Sequence, residues 1–147
     1  MEPLDLRNHP PRSSREELDG LIMLPRTIDK FRAMLPGGDM GTYIINSTRT
    51  TGLSGFMLKR LGVSEEAFLE AVATAKSDEE VAAWLRANTD PSRYEKLSMM
   101  LANIEASHSE DPAFVREFYA ETTREHPELT KMVDIIDADD RRTFGGG

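Results

Sequence analysis

Arg26, Asp29 and Lys30 lie three and four residues apart in the segment Leu24-Pro25-Arg26-Thr27-Ile28-Asp29-Lys30-Phe31-Arg32. On a helix that spacing gathers the three side chains on one face, two cations around one carboxylate. Such a face is either an exposed charge network, worth about 1 kcal/mol or less, or the rim of a pocket for an anion. Tyr43 and a polar loop from Asn46 to Gly55 follow, the loop carrying Arg49, several hydroxyls, Gly52 and Gly55. Free backbone N–H groups and the helix dipole at the end of that loop favour an anion, although the spacing and lysine of a P-loop are missing. An ordinary capped loop would use the same hydroxyl residues. The expected ligand site therefore consists of Arg26, Asp29, Lys30, Tyr43 and Arg49.

Other chemistry-bearing residues fall into duller patterns. His9, His108 and His126 stand at no zinc-ligand spacing and are expected at the surface. Asp137, Asp139 and Asp140 open like a calcium loop, but Arg141 and Arg142 follow and no glutamate closes it, which makes a solvated charge run. Glu16/Glu17, Glu65/Glu66 and Glu79/Glu80 sit in first helical turns, where they complement the dipole rather than flank a cleft. Met57 to Ser64 and the helix after it imitate a helix–turn–helix. That recognition helix would offer Glu65, Glu66 and Glu70 to the phosphates, so a hairpin serving the core is the better reading. No nucleophile elbow or dinucleotide glycine pattern occurs. The methionines read as core filler.

Composition narrows the classes further. The chain has 147 residues, 39% hydrophobic and 30% charged, and no cysteine. That excludes disulfides, thiolate metal sites and a cysteine nucleophile, and leaves enough apolar residues for one domain with a core. No apolar run approaches a membrane span and Met1–Ser13 does not read as a signal peptide, so a cytoplasmic setting is expected. The net charge of −8 is uneven. Residues 1–62 hold nine cations against seven anions, whereas residues 63–147 hold nine against nineteen. Acidic surface repels phosphate backbones and anionic membranes, so an anionic ligand belongs in the first half. Solubility alone would also account for the excess.

Positioning these groups falls to helices. Three prolines make residues 1–14 an extended arm. Ser14-Arg15-Glu16-Glu17 fits a capping box, which predicts a short helix broken near Gly20. A second helix is predicted from about Leu24 to Leu35, burying Leu21, Leu24, Ile28, Phe31 and Leu35. Tyr43-Ile44-Ile45 is the one β-like run, inside an irregular loop near residues 41–52. Further helices follow Gly52, Ser64, Ser77, Asp90-Pro91 and Asp111-Pro112, with Gly62 closing the first of these. The Asp90 helix should run to about Ser107. Trp84 should be buried with Val81 and Leu85, and Phe118 with Val115. Pro127 should start a last short helix through Ile136, ahead of a loose tail from Asp137, with residues 143–147 flexible. The expected fold is all-α: a single domain over residues 15–142, a bundle of six or seven short helices.

Gly20-Leu21-Ile22-Met23-Leu24-Pro25-Arg26-Thr27-Ile28-Asp29-Lys30-Phe31-Arg32-Ala33 resembles the hallmark segment of a bacterial family of domains of unknown function, numbered 5069. Phe68–Val72, Ser77–Val81, Trp84-Leu85 and Asp137–Arg142 resemble the same family. The resemblance spans roughly Leu6 to Arg142 and implies a small helical bacterial domain, with no functional residue to carry over.

The leading expectation is a non-catalytic cytoplasmic module, without cofactor, for a protein partner or a small anionic ligand. It would be a monomer or homodimer that binds neither nucleic acid nor membrane. The rival is a small enzyme acting on an anionic metabolite, with Arg26 and Lys30 binding and Asp29 or the Tyr43 hydroxyl moving a proton. A DNA-binding regulator ranks last.

Overall fold

Leu21, Leu24, Ile28 and Phe31 have no exposed surface, and the main core is built on them. The computed structural model describes residues 1–46 and 52–145. Among these residues the chain forms α1 (Leu24–Ala33), α2 (Leu53–Leu61), α3 (Glu65–Thr74), α4 (Asp78–Asn88), α5 (Tyr94–Asn103), α6 (Pro112–Phe118), α7 (Ala120–Glu125) and α8 (Met132–Phe144). Short 3-10 turns at Pro91–Arg93 and Ala106–His108 precede α5 and α6. None of the described helices is long and apolar enough to cross a membrane.

The fold is mostly helical, but not all-α. No helix starts at Ser14. Strands β1 (Glu17–Leu18) and β2 (Leu21–Ile22) instead pair antiparallel around Asp19-Gly20. Both turn residues have positive φ, 54° and 85°, which is what a two-residue hairpin matching the strand twist requires. Asp-Gly between short apolar pairs is itself a hairpin signal, and it overrides the capping box. Ser14 is recruited elsewhere: its hydroxyl donates to the Val133 carbonyl and to Asp137 of α8, at 2.9 and 2.7 Å. A Cβ on Gly20 would meet nothing closer than 4.0 Å, so Gly20→Ala carries only the left-handed backbone cost. We expect a loss of about 1–2 kcal/mol, read as a lower urea midpoint.

Helix starts follow the local signals closely. Ser64, Ser77, Asp90 and Asp111 each accept a backbone N–H two or three residues on. These caps satisfy groups that a helix leaves unpaired at its first turn. Helix ends follow less well. α5 stops at Asn103 rather than Ser107, because the Ile104 carbonyl accepts from Met132 N and Ala106 N donates to Thr130 O. The chain between α5 and α6 is thereby pinned to the start of α8. Eight helices form among the described residues rather than six or seven, and one of them is unforeseen because Tyr119 leaves helical geometry and separates α6 from α7.

Residues 43–45 form no strand; they run as irregular chain toward α2. Trp84 is only half-buried, since Val81 and Leu85 hold the centre of the α4 face and the indole sits at its edge. Phe118 is 42% exposed while Val115 is buried. The segment from Asp137 is not loose: α8 starts at Met132, not Pro127, and continues through it to Phe144. Its apolar stripe of Met132, Val133 and Ile136 continues four residues on to Asp140, which the same periodicity carries inside. The residue 1–14 arm lies along α1, with Leu6 and Pro11 buried and Leu4 and Leu6 bonded to Arg32 and Asp39.

Candidate functional site

Three charged residues of α1 are buried, and each goes a different way. Arg26, 2% exposed, reaches α8 and meets Asp140, itself 8% exposed, with Nη1 2.6 Å from the carboxylate. Burial alone would lower the pKa of this guanidinium, but its hydrogen bond to Asp140 and the charge of that carboxylate together outweigh burial and raise it. Asp29 accepts from the backbone N–H and side chain of Arg12, at 2.8 to 3.2 Å. Arg12 continues to Asp78 of α4 at 2.7 Å. Among the described residues Lys30 is paired with no carboxylate; its ammonium nitrogen donates to the Ile44 carbonyl at 3.0 Å.

Tyr43 closes this arrangement from the loop. Its hydroxyl donates to Asp140 at 2.6 Å, and its ring lies 5.4 Å from the Arg26 guanidinium and 6.0 Å from the Lys30 nitrogen. Burial and the bond to Asp140 push the Tyr43 phenol far above its ordinary pKa. Burial acts the other way on Lys30, and the adjacent Arg26 adds to it, so the amine is pushed down to about 7. Loss of charge is the ordinary response of a buried lysine that lacks an anion.

These groups form the polar end of a cavity of about 720 Å³ between α1, α2, α6 and α8. Leu53 and Phe56 of α2 supply one wall, with Phe114, Val115 and Phe118 of α6 on another. Met132 and Ile136 come from α8. The Phe114 and Phe118 rings stack at 5.2 Å, and Phe118 meets Tyr119 edge-on at 4.9 Å. Lys59 and Arg60, both exposed, stand where the cavity reaches the surface, and the Arg60 guanidinium lies 5.0 Å from the Phe56 ring centre. Tyr119 and Asp139 complete the polar end. Burial raises the pKa of both, and Asp139 also accepts from Thr122 at 2.7 Å.

One atom stands out chemically. Arg26 Nε is fully buried and has no hydrogen-bond partner among the described residues, on a side chain that lines the cavity. A buried donor left unpaired costs about 1–3 kcal/mol. Volume, apolar walls and a few converging polar groups are the usual attributes of a small-molecule site. Among the described residues no group of three or more His, Asp and Glu could hold a metal ion.

The chain matches the family described as Domain of unknown function (DUF5069) over residues 8–142. It belongs to that family. No curated protein matches it.

In this DUF5069 chain the expected site residues separate. Arg26, Lys30 and Tyr43 come together on the cavity. Asp29 does not join them: it serves Arg12, so the reading of one carboxylate shared by Arg26 and Lys30 is corrected. Nor is the cluster an exposed network, since all three α1 charges are buried. Arg49 lies outside the described residues. Of the histidines, His9 and His108 are exposed, His108 bordering the cavity, while His126 is half-buried.

Sequence reasoning missed Asp140, Tyr119, Asp139 and the aromatic residues of α6. A signal for Asp140 existed in its place four residues beyond Ile136. For Phe118 the heptad-like spacing was visible, but it cannot say whether a ring faces core or cavity.

Proposed function

We propose that this protein binds a small organic acid, an anionic group on an apolar or aromatic body, in the cavity between α1, α2, α6 and α8. The observation that carries this reading is the pair of buried cationic side chains, Arg26 and Lys30, at the polar end of a cavity otherwise lined by Leu53, Phe56, Val115, Met132 and Ile136. The anionic end would lie toward Arg26, Lys30 and the Tyr119 hydroxyl. The apolar body would fill the space between Phe56 and the Phe114–Phe118 stack. Lys59 and Arg60 at the mouth would draw an anion inward, as a local positive field in an otherwise acidic molecule. In this reading the protein is a ligand-binding module of the bacterial cytoplasm.

Thermal unfolding tests it. 3-Phenylpropanoate at a hundred times its dissociation constant should stabilise the fold by about 2.7 kcal/mol, and 3-phenylpropylamine should not. Lys59→Glu with Arg60→Glu changes exposed residues only, and should weaken binding about tenfold with the melting temperature of the free protein unchanged. Arg26→Lys keeps a cation for Asp140 but removes the guanidinium that lines the cavity, and should abolish the shift. Equal stabilisation by the acid and the amine would overturn the reading.

A further inference from the structure

We propose that Lys30 is a nucleophilic amine that forms an imine with an α-keto acid carrying an apolar side chain, bound in the cavity just described. The inference rests on the reading of that cavity as an organic-acid site.

Geometry sets Lys30 apart from an ion-pairing lysine. Its side chain is buried and lines the cavity, and among the described residues its nitrogen makes one hydrogen bond, to the Ile44 carbonyl. Asp140, the carboxylate whose charge acts on Lys30, is already engaged by Arg26 and by the Tyr43 hydroxyl. Arg26, on the preceding turn of α1, adds a second positive charge beside the amine. Burial in apolar surroundings next to another cation is how lysines are activated toward carbonyl groups. The depressed pKa of about 7 agrees: a large share of Lys30 is an uncharged amine at neutral pH.

The ligand class follows from what surrounds the amine. The Arg26 guanidinium supplies a positive charge for a carboxylate at the polar end of the cavity, and the Tyr119 side chain brings a hydroxyl there. A carbonyl carbon attached to that carboxylate would then lie beside Lys30, with the side chain directed toward Phe56, Phe114 and Phe118. The lone pair of the amine forms the C–N bond as the carbonyl π pair moves to oxygen. That oxygen takes a proton relayed by the Asp139 carboxylate, which lines the cavity and receives it from the nitrogen. A second transfer from Asp139 to the hydroxyl breaks the C–O bond, releases water and leaves the protonated imine. One carbonyl compound, one amine and one proton, taken up from solvent through Asp139, give one protonated imine and one water.

The whole chain incubated with phenylpyruvate and sodium cyanoborohydride at pH 7.5 tests this by intact mass and peptide mapping. Reduction of the imine should add the mass of the acid less one oxygen atom, at Lys30. Label at Lys30 should exceed that at Lys59, Lys76, Lys96 or Lys131 by about tenfold, and 3-phenylpropanoate, which lacks the keto group, should suppress it. Lys30→Arg should remove the adduct. The competition experiment decides the matter even if that variant fails to fold. Thermal stabilisation by both acids without labelling of Lys30 overturns the imine while leaving the organic-acid site intact. Neither stabilisation nor labelling overturns both. Equal labelling of all lysines, insensitive to 3-phenylpropanoate, also overturns the imine.

Discussion

Asp140→Ala should cost about 3–5 kcal/mol of folding stability, out of the roughly 5–15 kcal/mol available to a domain of this kind. The carboxylate sits on α8 and is the charge partner of Arg26, 114 residues earlier in the chain, with both side chains nearly sealed from water. Removing it leaves a guanidinium that cannot shed its proton in an environment that cannot solvate it. It also strips the Tyr43 hydroxyl of its acceptor, a further loss of about 1 kcal/mol. Replacing both partners tells a different story. Arg26→Met with Asp140→Leu should recover most of the stability, because two apolar residues need no desolvation. The urea midpoint of the single and double variants measures the difference. A single-variant loss under about 1 kcal/mol would mean the pair is solvated, as in an ordinary surface bridge.

Stability should rise by about 2–3 kcal/mol between pH 7.5 and 9.5, and Lys30→Met should abolish the rise. An unfolded lysine holds its proton up to about 10.4, whereas folded Lys30 releases it near 7. Between those values the unfolded chain carries the extra proton, so raising the pH favours the folded state, by at most about 1.4 kcal/mol per unit. The groups facing Lys30 do not share this window. Arg26 stays charged throughout. Tyr43 and Tyr119 keep their phenol protons more firmly folded than unfolded, so they take stability away only above about pH 10. Asp139, raised by burial, acts with the same negative sign at the acid end. Denaturant midpoints across the range read the slope directly. A flat profile in the native chain would place the Lys30 ammonium against an anion or in water. Binding of an organic acid beside Lys30 should itself flatten the slope, since an anion favours the charged amine.

Much of the fold was legible because its causes are local. Ser64, Ser77, Asp90 and Asp111 cap helices through contacts two or three residues long, so residue type and spacing suffice to place them. Leu24, Ile28 and Phe31 mark a buried face for the same reason, and α1 forms where they predict. Asp19-Gly20 was equally local, but it competed with a capping box one turn earlier. The hairpin prevailed because Ser14 bonds Val133 and Asp137, partners more than a hundred residues away.

The site was legible only in part. Periodicity could say that Arg26, Asp29 and Lys30 share a helix; it could not say that each would be buried or what each would meet. Arg12 arrives from the N-terminal arm to take Asp29, Asp140 arrives from α8 to take Arg26, and the loop carbonyl of Ile44 takes Lys30. Sequence by itself determined the helical segments, most of their starting caps and the presence of cations in the first half. Tertiary structure decided which charges are neutralised, which donor is left unpaired and where the aromatic residues of α6 enclose a cavity. The physical reason is one of range. Capping and helical spacing act within a turn or two of backbone, whereas burial and ion pairing depend on elements that only the packed chain brings together.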